Sequence, residues 1–431
     1  MIRPPSYAYR RVTASGSRRG VSELCCDAIP LRSLAEKYGT PLYVYSGTMI
    51  RSRLRAFDAA FRGAPHTLCY AMKANPALAV LRLVAREGHG FDVVSAGELE
   101  RLLRVSPRSL RNVVFSGVGK ARHEMEMALR SGILLFNVES ASELEALAAE
   151  AARQGTMARV AIRVNPDLPS KTHPYISTGL HRHKFGVPIP DAEKLYASAA
   201  KHAGLQVAGV SVHIGSQISD ARSFSAALER VAGLVRALRQ KGHSIRYVDA
   251  GGGLSIPYEE EDALDFRRQL AGYAKAVTRP LKGLDVHLLL EPGRSIVGPA
   301  GVLLTRVLYR KTNNSKRFLI VDAAMNDLLR PALYGAHHDI APVVRNWAPH
   351  ETTDVVGPVC ETGDFLARNR TLPVVQEDDL LAVLDTGAYS ASQGSNYNTR
   401  GKPAEVLVEG RTARCIRRRE SAADQMRLEA I

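Results

Sequence analysis

Thr67-Leu68-Cys69-Tyr70-Ala71-Met72-Lys73-Ala74-Asn75 runs a short apolar stretch into a single lysine. Its first seven residues, Thr67–Lys73, read as a buried strand with Lys73 at the end. Lysine is among the side chains least often fully buried, so one that closes a core strand needs a partner or a task. A desolvated amine gives up its proton more easily, and the neutral amine can form a Schiff base with an aldehyde. Most strand-end lysines simply reach solvent along their aliphatic stems. The rest of the chain decides between the two.

From about residue 46 to 300 one cadence repeats, a short β-rich run followed by a longer amphipathic helix. The other strand candidates are Phe91–Ser95, Val113–Ser116, Leu134–Glu139, Ala158–Asn165, Val207–Ile214, Ile245–Ala250 and Val286–Glu291. Between them lie helical patterns such as Ser140–Gln154, where Leu144, Leu147 and Ala148 follow i, i+3, i+4 spacing. Eight alternating units over roughly 250 residues are the signature of an α/β fold of the TIM-type (β/α)8 barrel, expected over residues 46–300. Beyond residue 300 the pattern changes. Val302–Tyr309, Phe318–Asp322, Asp354–Gly357, Leu380–Leu384 and Glu405–Val408 are β-like runs punctuated by Pro, Gly and Asn. They predict a C-terminal, mostly antiparallel β domain over residues 301–431. Residues 1–45 form a basic tail and an N-terminal segment whose Leu42-Tyr43-Val44-Tyr45 adds to that β domain.

Composition bounds the class. A chain of 431 residues with 45% hydrophobic and 23% charged residues suits a soluble globular enzyme with room for a core and a cleft. No apolar run approaches the ~18 residues that span a bilayer, so no membrane partner is expected. Five cysteines (Cys25, Cys26, Cys69, Cys360, Cys415) show no CxxC spacing, which favours reduced thiols and a cytoplasmic setting. The net charge of +15 raises nucleic-acid binding as an option. Its densest parts, Arg3, Arg10, Arg11, Arg18 and Arg19 at one end and Arg417-Arg418-Arg419 at the other, carry no interleaved aromatics. A solvated surface and a loose tail is the reading taken, with no nucleic-acid partner. The arginine-rich start is also like a transit peptide, but it lacks a clean amphipathic period.

Barrel enzymes keep their chemistry on the loops after the C-terminal strand ends. Here those ends carry Lys73, Asp92 and Ser95, Ser116, Arg163 and Asn165, His213 with Ser216, Asp249, and Glu291. Gly251-Gly252-Gly253 follows the seventh strand and Pro292-Gly293-Arg294 the eighth, the loops that commonly bind phosphate. Glycines let successive backbone N–H groups form an anion nest, although a bare triglycine can be only a turn. Ser116-Gly117-Val118-Gly119-Lys120 imitates a nucleotide loop, but the P-loop spacing needs glycine where Val114 stands. Taken singly, His213 can be a satisfied core histidine and Glu291 a carboxylate paired with Arg294. His173, His181, His183, His337 and His338 show no pattern with nearby acids that makes a metal site.

The second domain adds Cys360-Glu361-Thr362-Gly363-Asp364. Acids beside a thiol raise its pKa, so Cys360 suits proton donation better than nucleophilic attack, unless it is a small buried cysteine. Arg330 and Tyr334 share a helical face at i, i+4, where they can clamp a carboxylate or stand as ordinary surface residues.

Tyr70–Asn75, Phe91–Glu98, Phe115–Lys120, Asn137–Glu143, Lys171–Gly179, His213–Ile218, Gly251–Leu254, Glu291–Ser295, Met325–Tyr334, Gly357–Glu361, Gly387–Tyr389 and Ser395–Arg400 together resemble the diaminopimelate decarboxylase family. That family belongs to the barrel-type decarboxylases that use pyridoxal 5'-phosphate (PLP) and are related to alanine racemase. The resemblance runs from about residue 35 to the C-terminus. It implies that Lys73 carries PLP as a Schiff base, that His213 stacks on the ring and that Glu291 meets the pyridine nitrogen. It also implies that Ser216, Gly251, Gly252, Gly253, Gly293, Arg294 and Tyr389 serve the phosphate, with Asp92 and Pro292 counted among the cofactor positions. Substrate would meet Arg294, Arg330, Tyr334, Glu361 and Tyr389. The resemblance further implies that Cys360 and Glu361 reach the site of a partner subunit, so that a homodimer with composite sites is expected.

The resemblance departs in three places: Ala323 for a customary glycine, Thr362 for serine, and Gln393-Gly394 for Met-Ser. None removes a named group. The expected activity is decarboxylation of meso-2,6-diaminopimelate to L-lysine and CO2. The rivals are a decarboxylase for ornithine, lysine or arginine on the same scaffold, a racemase, and a non-catalytic PLP-binding protein.

Overall fold

The computed structural model describes residues 6–12, 21–167, 184–259 and 265–430. The chain separates into two compact units, Arg53–Ile256 with Leu264–Ser295, and Met1–Ser52 with Pro257–Ala263 and Ile296–Ile431. Tyr258 and Glu259 thus group with the second unit although the sequence cadence runs them into the barrel.

The first unit is a closed parallel barrel. Its strands are β1 (His66–Ala71), β2 (Gly90–Val93), β3 (Val113–Phe115), β4 (Leu135–Val138), β5 (Ala158–Asn165), β6 (Leu205–Val212), β7 (Tyr247–Asp249) and β8 (His287–Leu290). Each pairs in parallel with the next, and Leu288↔His66 closes the ring between β8 and β1. All eight candidates are present because barrel strands are buried on both faces and read as continuous apolar runs. Cys69, Val114, Leu135, Ala161, Ala208 and Leu289, from six of these strands, pack into one apolar cluster. One boundary moves. The first strand stops at Ala71, and Met72–Ala74 forms a 3-10 turn, so Lys73 lies just past the strand rather than within it.

The loops after β2 and β4 are built alike. Ser95 and Ser140 cap the following helices by accepting from Glu98 N at 3.3 Å and Glu143 N at 3.2 Å. Each glutamate reaches back to the backbone N–H before its serine, Val94 at 2.8 Å and Glu139 at 2.9 Å. These reciprocal bonds satisfy orphan donors at the helix start and fix the loop that leaves the strand. Ser140–Gln154 resolves into a helix over Ala141–Arg153 that buries Leu144, Leu147 and Ala148.

The second unit is a mostly antiparallel sheet. Its central strand, Gly301–Asn313, runs antiparallel to Leu42–Ser46, Lys316–Val321 and Leu380–Val383. Leu42–Ser46 lies parallel to Ala404–Glu409, so the N-terminal run does join this sheet. Val44, Val302, Leu304, Ala382 and Val406 form part of its core. Six strands of the described residues in this unit are not among the sequence candidates: Ile340–Pro342, Phe365–Pro373, Thr412–Arg417, Val21–Cys26, Ile29–Pro30 and Tyr7–Val12. The last corrects the expectation of a loose tail. Tyr7–Val12 pairs antiparallel with Val21–Cys26 and buries Tyr7 in the core. The C-terminal arginine run is likewise tied down, Arg417 to Glu405 at 2.5 Å, Arg418 to Asp424, and Arg419 to the carbonyl of Pro41 at 2.8 Å. Among the described residues no helix is long and apolar enough to cross a membrane.

Candidate active site

At the mouth of the barrel the polar strand ends converge. Lys73, with 36% of its side chain exposed, is ion-paired to the fully buried Asp92 on β2. The other carboxylate oxygen of Asp92 is buried with no hydrogen-bond partner among the described residues. Directly after β1, Ala71 N donates to Pro292 O at 3.2 Å, which ties the lysine turn to the loop after β8.

The glycine run shows why glycine is needed. Gly251 sits at φ 65°, and a Cβ there would lie 2.6 Å from His213 Nδ1. A Cβ on Gly252 would lie 2.1 Å from Glu291 O. Backbone and imidazole thus approach closer than any side chain permits. Gly252 N donates to His213 Nδ1 at 3.1 Å. Desolvation holds that imidazole well below its ordinary pKa, and the cations Arg163 and Lys73 push the same way. His213 is therefore a neutral ring with its proton on Nε2, suited to lie against a flat cofactor. Arg294, just beyond β8, reaches Ser216 Oγ from Nε at 3.3 Å and from an Nη at 3.2 Å. Ser216 and Arg294 make a donor set for a phosphate, while Gly251 N and Gly252 N already donate to Asp249 Oδ1 and His213 Nδ1, so the run is a close-approach turn and not a three-donor anion nest.

Beneath this lies a carboxylate pair. Glu291 is buried, accepts from Ser116 Oγ at 3.2 Å, and is pushed well above the usual carboxyl range by desolvation, then by Asp249 and Asp92. Desolvation also raises Asp249, whose oxygens accept from Asn137 Nδ2 at 2.6 Å, Ser211 Oγ at 3.3 Å and Gly251 N at 2.9 Å. Two acids so close cannot both ionise cheaply, so a cation placed against Glu291 would relieve the pair. The buried acid pair, the glycine cradle and the neutral histidine fit a protonated pyridine ring with a phosphate tail. In the sequence Asp249 and Ser116 stand out only as polar strand ends, and Asn137 and Ser211 carry no signal of this role.

Arg163 pairs with Glu139 at 3.0 Å, and Glu139 also accepts from Gly117 N at 3.2 Å and Gly186 N at 2.9 Å. Lys120, the lysine of the rejected nucleotide-loop imitation, is almost wholly buried. Its ammonium donates to Gly117 O at 2.7 Å, Asn137 O at 2.6 Å and Glu143 Oε1 at 2.7 Å.

The remaining candidates belong to the β unit. Arg330 opens the short helix Arg330–Tyr334 and is only 5% exposed, so it is no ordinary surface residue. Tyr334 is partly exposed. Tyr389 is partly exposed at φ 54°. Cys360 is exposed, not a small buried cysteine, and so is Glu361. Their loop is nonetheless fixed. Cys360 N donates to Asn398 Oδ1 at 2.9 Å, and Asp364 accepts from Met325 N and Val359 N, both at 2.7 Å. His173, His181, His183 and the Lys171–Gly179 segment lie outside the described residues.

The chain matches the model of the pyridoxal-dependent decarboxylase, pyridoxal binding domain, over residues 48–298. It is 51% identical over 404 residues to diaminopimelate decarboxylase of Pseudomonas aeruginosa, covering 94% of this chain and 96% of that one. Among solved structures it superposes on the Helicobacter pylori diaminopimelate decarboxylase complexed with L-lysine. The TM-score is 0.88 at 42% identity, over 93% of this chain and 99% of the other. The M. jannaschii enzyme in co-complex with L-lysine gives a TM-score of 0.89 at 38% identity, over 95% and 96%. A barrel whose mouth fits a pyridoxal ring and phosphate, joined to a β unit over the full span of such relatives, belongs to the diaminopimelate decarboxylase family of PLP-dependent carboxy-lyases.

Proposed function

We propose that the chain decarboxylates meso-2,6-diaminopimelate at its D-configured centre, releasing CO2 and L-lysine, on a site shared by two copies of the chain. The observation that carries this is the barrel-mouth set of Lys73, His213, the glycine cradle and Glu291, in a chain half identical to a diaminopimelate decarboxylase. When bound, PLP supplies the electron sink for the pair left behind by the departing carboxylate. Lys73 would hold the cofactor covalently and be displaced by the substrate amine. Glu291 would accept from the ring nitrogen, with Asp249, Asn137 and Ser116 fixing its carboxylate. His213 would lie on the ring face, while Ser216, Arg294, the glycine run and Tyr389 would hold the phosphate. Arg330, with Tyr334 and Arg294, would bind the distal carboxylate by charge-assisted hydrogen bonds, and Glu361 the distal ammonium. That presents one stereocentre to the cofactor and not the other. The thiol of Cys360 would deliver a proton to the carbon that CO2 leaves.

Purified protein with PLP should release CO2 from meso-diaminopimelate far faster than from L-ornithine, L-lysine or L-arginine. Release only from one of the latter three would overturn the substrate. The reduced-thiol reading of the cysteines supports a cytoplasmic setting.

The exposed yet hydrogen-bonded Cys360-Glu361 loop supports its use by a partner copy. A two-fold dimer gives each site a loop from the other chain. Mixing inactive Lys73→Ala and Cys360→Ala chains should then restore activity, because each hybrid dimer has one site with both residues intact. Random exchange of equal amounts should give about a quarter of wild-type activity, since half the dimers are hybrids with one working site each. No recovery under proven subunit exchange would refute the shared site.

A further inference from the structure

We infer that His338, a residue with no role in the reading above, is the positioning residue that sets the Arg330 guanidinium for the distal carboxylate of the substrate. The inference rests on the proposal that Arg330 reads that carboxylate. His338 is completely buried in the β unit, and its Nε2 lies 2.6 Å from an Nη of Arg330. Its Nδ1 lies 2.8 Å from the carbonyl of Leu384. A carbonyl can only accept, so the Nδ1 carries the proton and Nε2 offers a lone pair to the arginine. That tautomer makes His338 a neutral acceptor, which orients a guanidinium without neutralising it. A carboxylate in the same place would satisfy the charge and compete with substrate.

The ring is itself held. Tyr258 meets it edge-on, with centroids 5.1 Å apart and planes at 74°, and the Arg330 guanidinium lies 4.5 Å from the centroid of the same tyrosine. Arg330 is thus braced by an aromatic ring and directed by an in-plane acceptor. The backbone of His338 is fixed too, since Arg370 donates to His338 O at 2.9 Å and lies 2.9 Å from Nε2 of His337. His337 in turn lies 3.1 Å from Asp339 and 3.6 Å from Glu259. Asp339 also lies 3.6 Å from Arg370.

The test exploits the two ends of an imidazole. His338→Gln places a carboxamide oxygen where Nε2 stood and keeps the acceptor for Arg330. His338→Asn keeps a donor toward Leu384 O but falls short of the guanidinium. L-lysine retains the carboxylate that Arg330 would hold, whereas 1,5-diaminopentane is the same molecule without it. Binding of each to the PLP-loaded protein is followed by cofactor absorbance, with no turnover required. His338→Asn should weaken L-lysine about tenfold, while the diamine stays within about twofold. His338→Gln should hold L-lysine within about threefold of wild type. KM for diaminopimelate should rise in His338→Asn with kcat little changed. Should Asn fail to fold by circular dichroism, His338→Leu, which fills the ring's volume without an acceptor, takes its place under the same expectation. Arg330→Ala in parallel separates the two ideas. If it weakens L-lysine selectively and the acceptor-less His338 variant does not, the positioning role is wrong. If it fails to discriminate lysine from the diamine, the carboxylate reading is wrong.

Discussion

Lys73→Ala is expected to lower turnover by at least about 10³-fold, ~4 kcal/mol of barrier, and to abolish the absorbance of the covalent lysine–cofactor species. Lys73 leaves β1 on a 3-10 turn, part-exposed at the barrel mouth and paired with a buried aspartate. The buried lysine of this rim cannot substitute. Lys120 has 1% of its side chain exposed, and its nitrogen donates to two carbonyls and Glu143. The variant should still bind PLP non-covalently through the glycine cradle and Arg294. Borohydride reduction followed by peptide mapping checks the assignment, and a reducible adduct that persisted in Lys73→Ala would show that another lysine carries the cofactor.

The barrel was legible because its physics is written locally. Each strand is a short apolar run that ends in a polar residue, and each is followed by a helix with a periodic face. The β unit was legible only where strands are buried. Thr412–Arg417 exposes or half-exposes every residue, and the middle of Phe365–Pro373 is Arg368, Asn369 and Arg370. Edge strands of this kind carry no apolar alternation to find. Tyr7–Val12 was hidden the same way, by arginines that stand outward while Tyr7 is buried.

Within the site, Lys73, His213, Gly251–Gly253 and Glu291 are ambiguous singly and legible only as a set, through their residue types and places at successive strand ends. The support beneath Glu291 is not legible even then. Asn137 and Asp249 are 112 positions apart, and Ser116 and Glu291 are 175 apart. Only closure of the barrel brings them together, so none carries a local signal beyond being polar at a strand end. His338 was equally silent, since two adjacent histidines without an acid pattern show nothing of a tautomer fixed by a distant carbonyl.

Arg330→Ala should raise KM for diaminopimelate about thirtyfold to a thousandfold, roughly 2–4 kcal/mol, with bound PLP unchanged. The size follows from burial. A guanidinium that is 5% exposed and lies 4.5 Å from the Tyr258 ring centroid would meet a carboxylate with little water left to screen it. Removing it leaves the substrate carboxylate desolvated without its bidentate partner. Cofactor retention should not follow, because the proposed phosphate site, at the glycine run, Ser216 and Arg294, lies in the barrel unit. Ornithine and lysine, taken as substrates, put their only carboxylate at the cofactor and present no second one to Arg330. Any side activity on them should therefore barely change, and the ratio of the two activities becomes the readout. Steady-state kinetics on both substrate types, with PLP followed by absorbance, gives that ratio directly. An equal loss on every substrate, or a loss of cofactor, would mean that Arg330 supports the fold and reads no carboxylate.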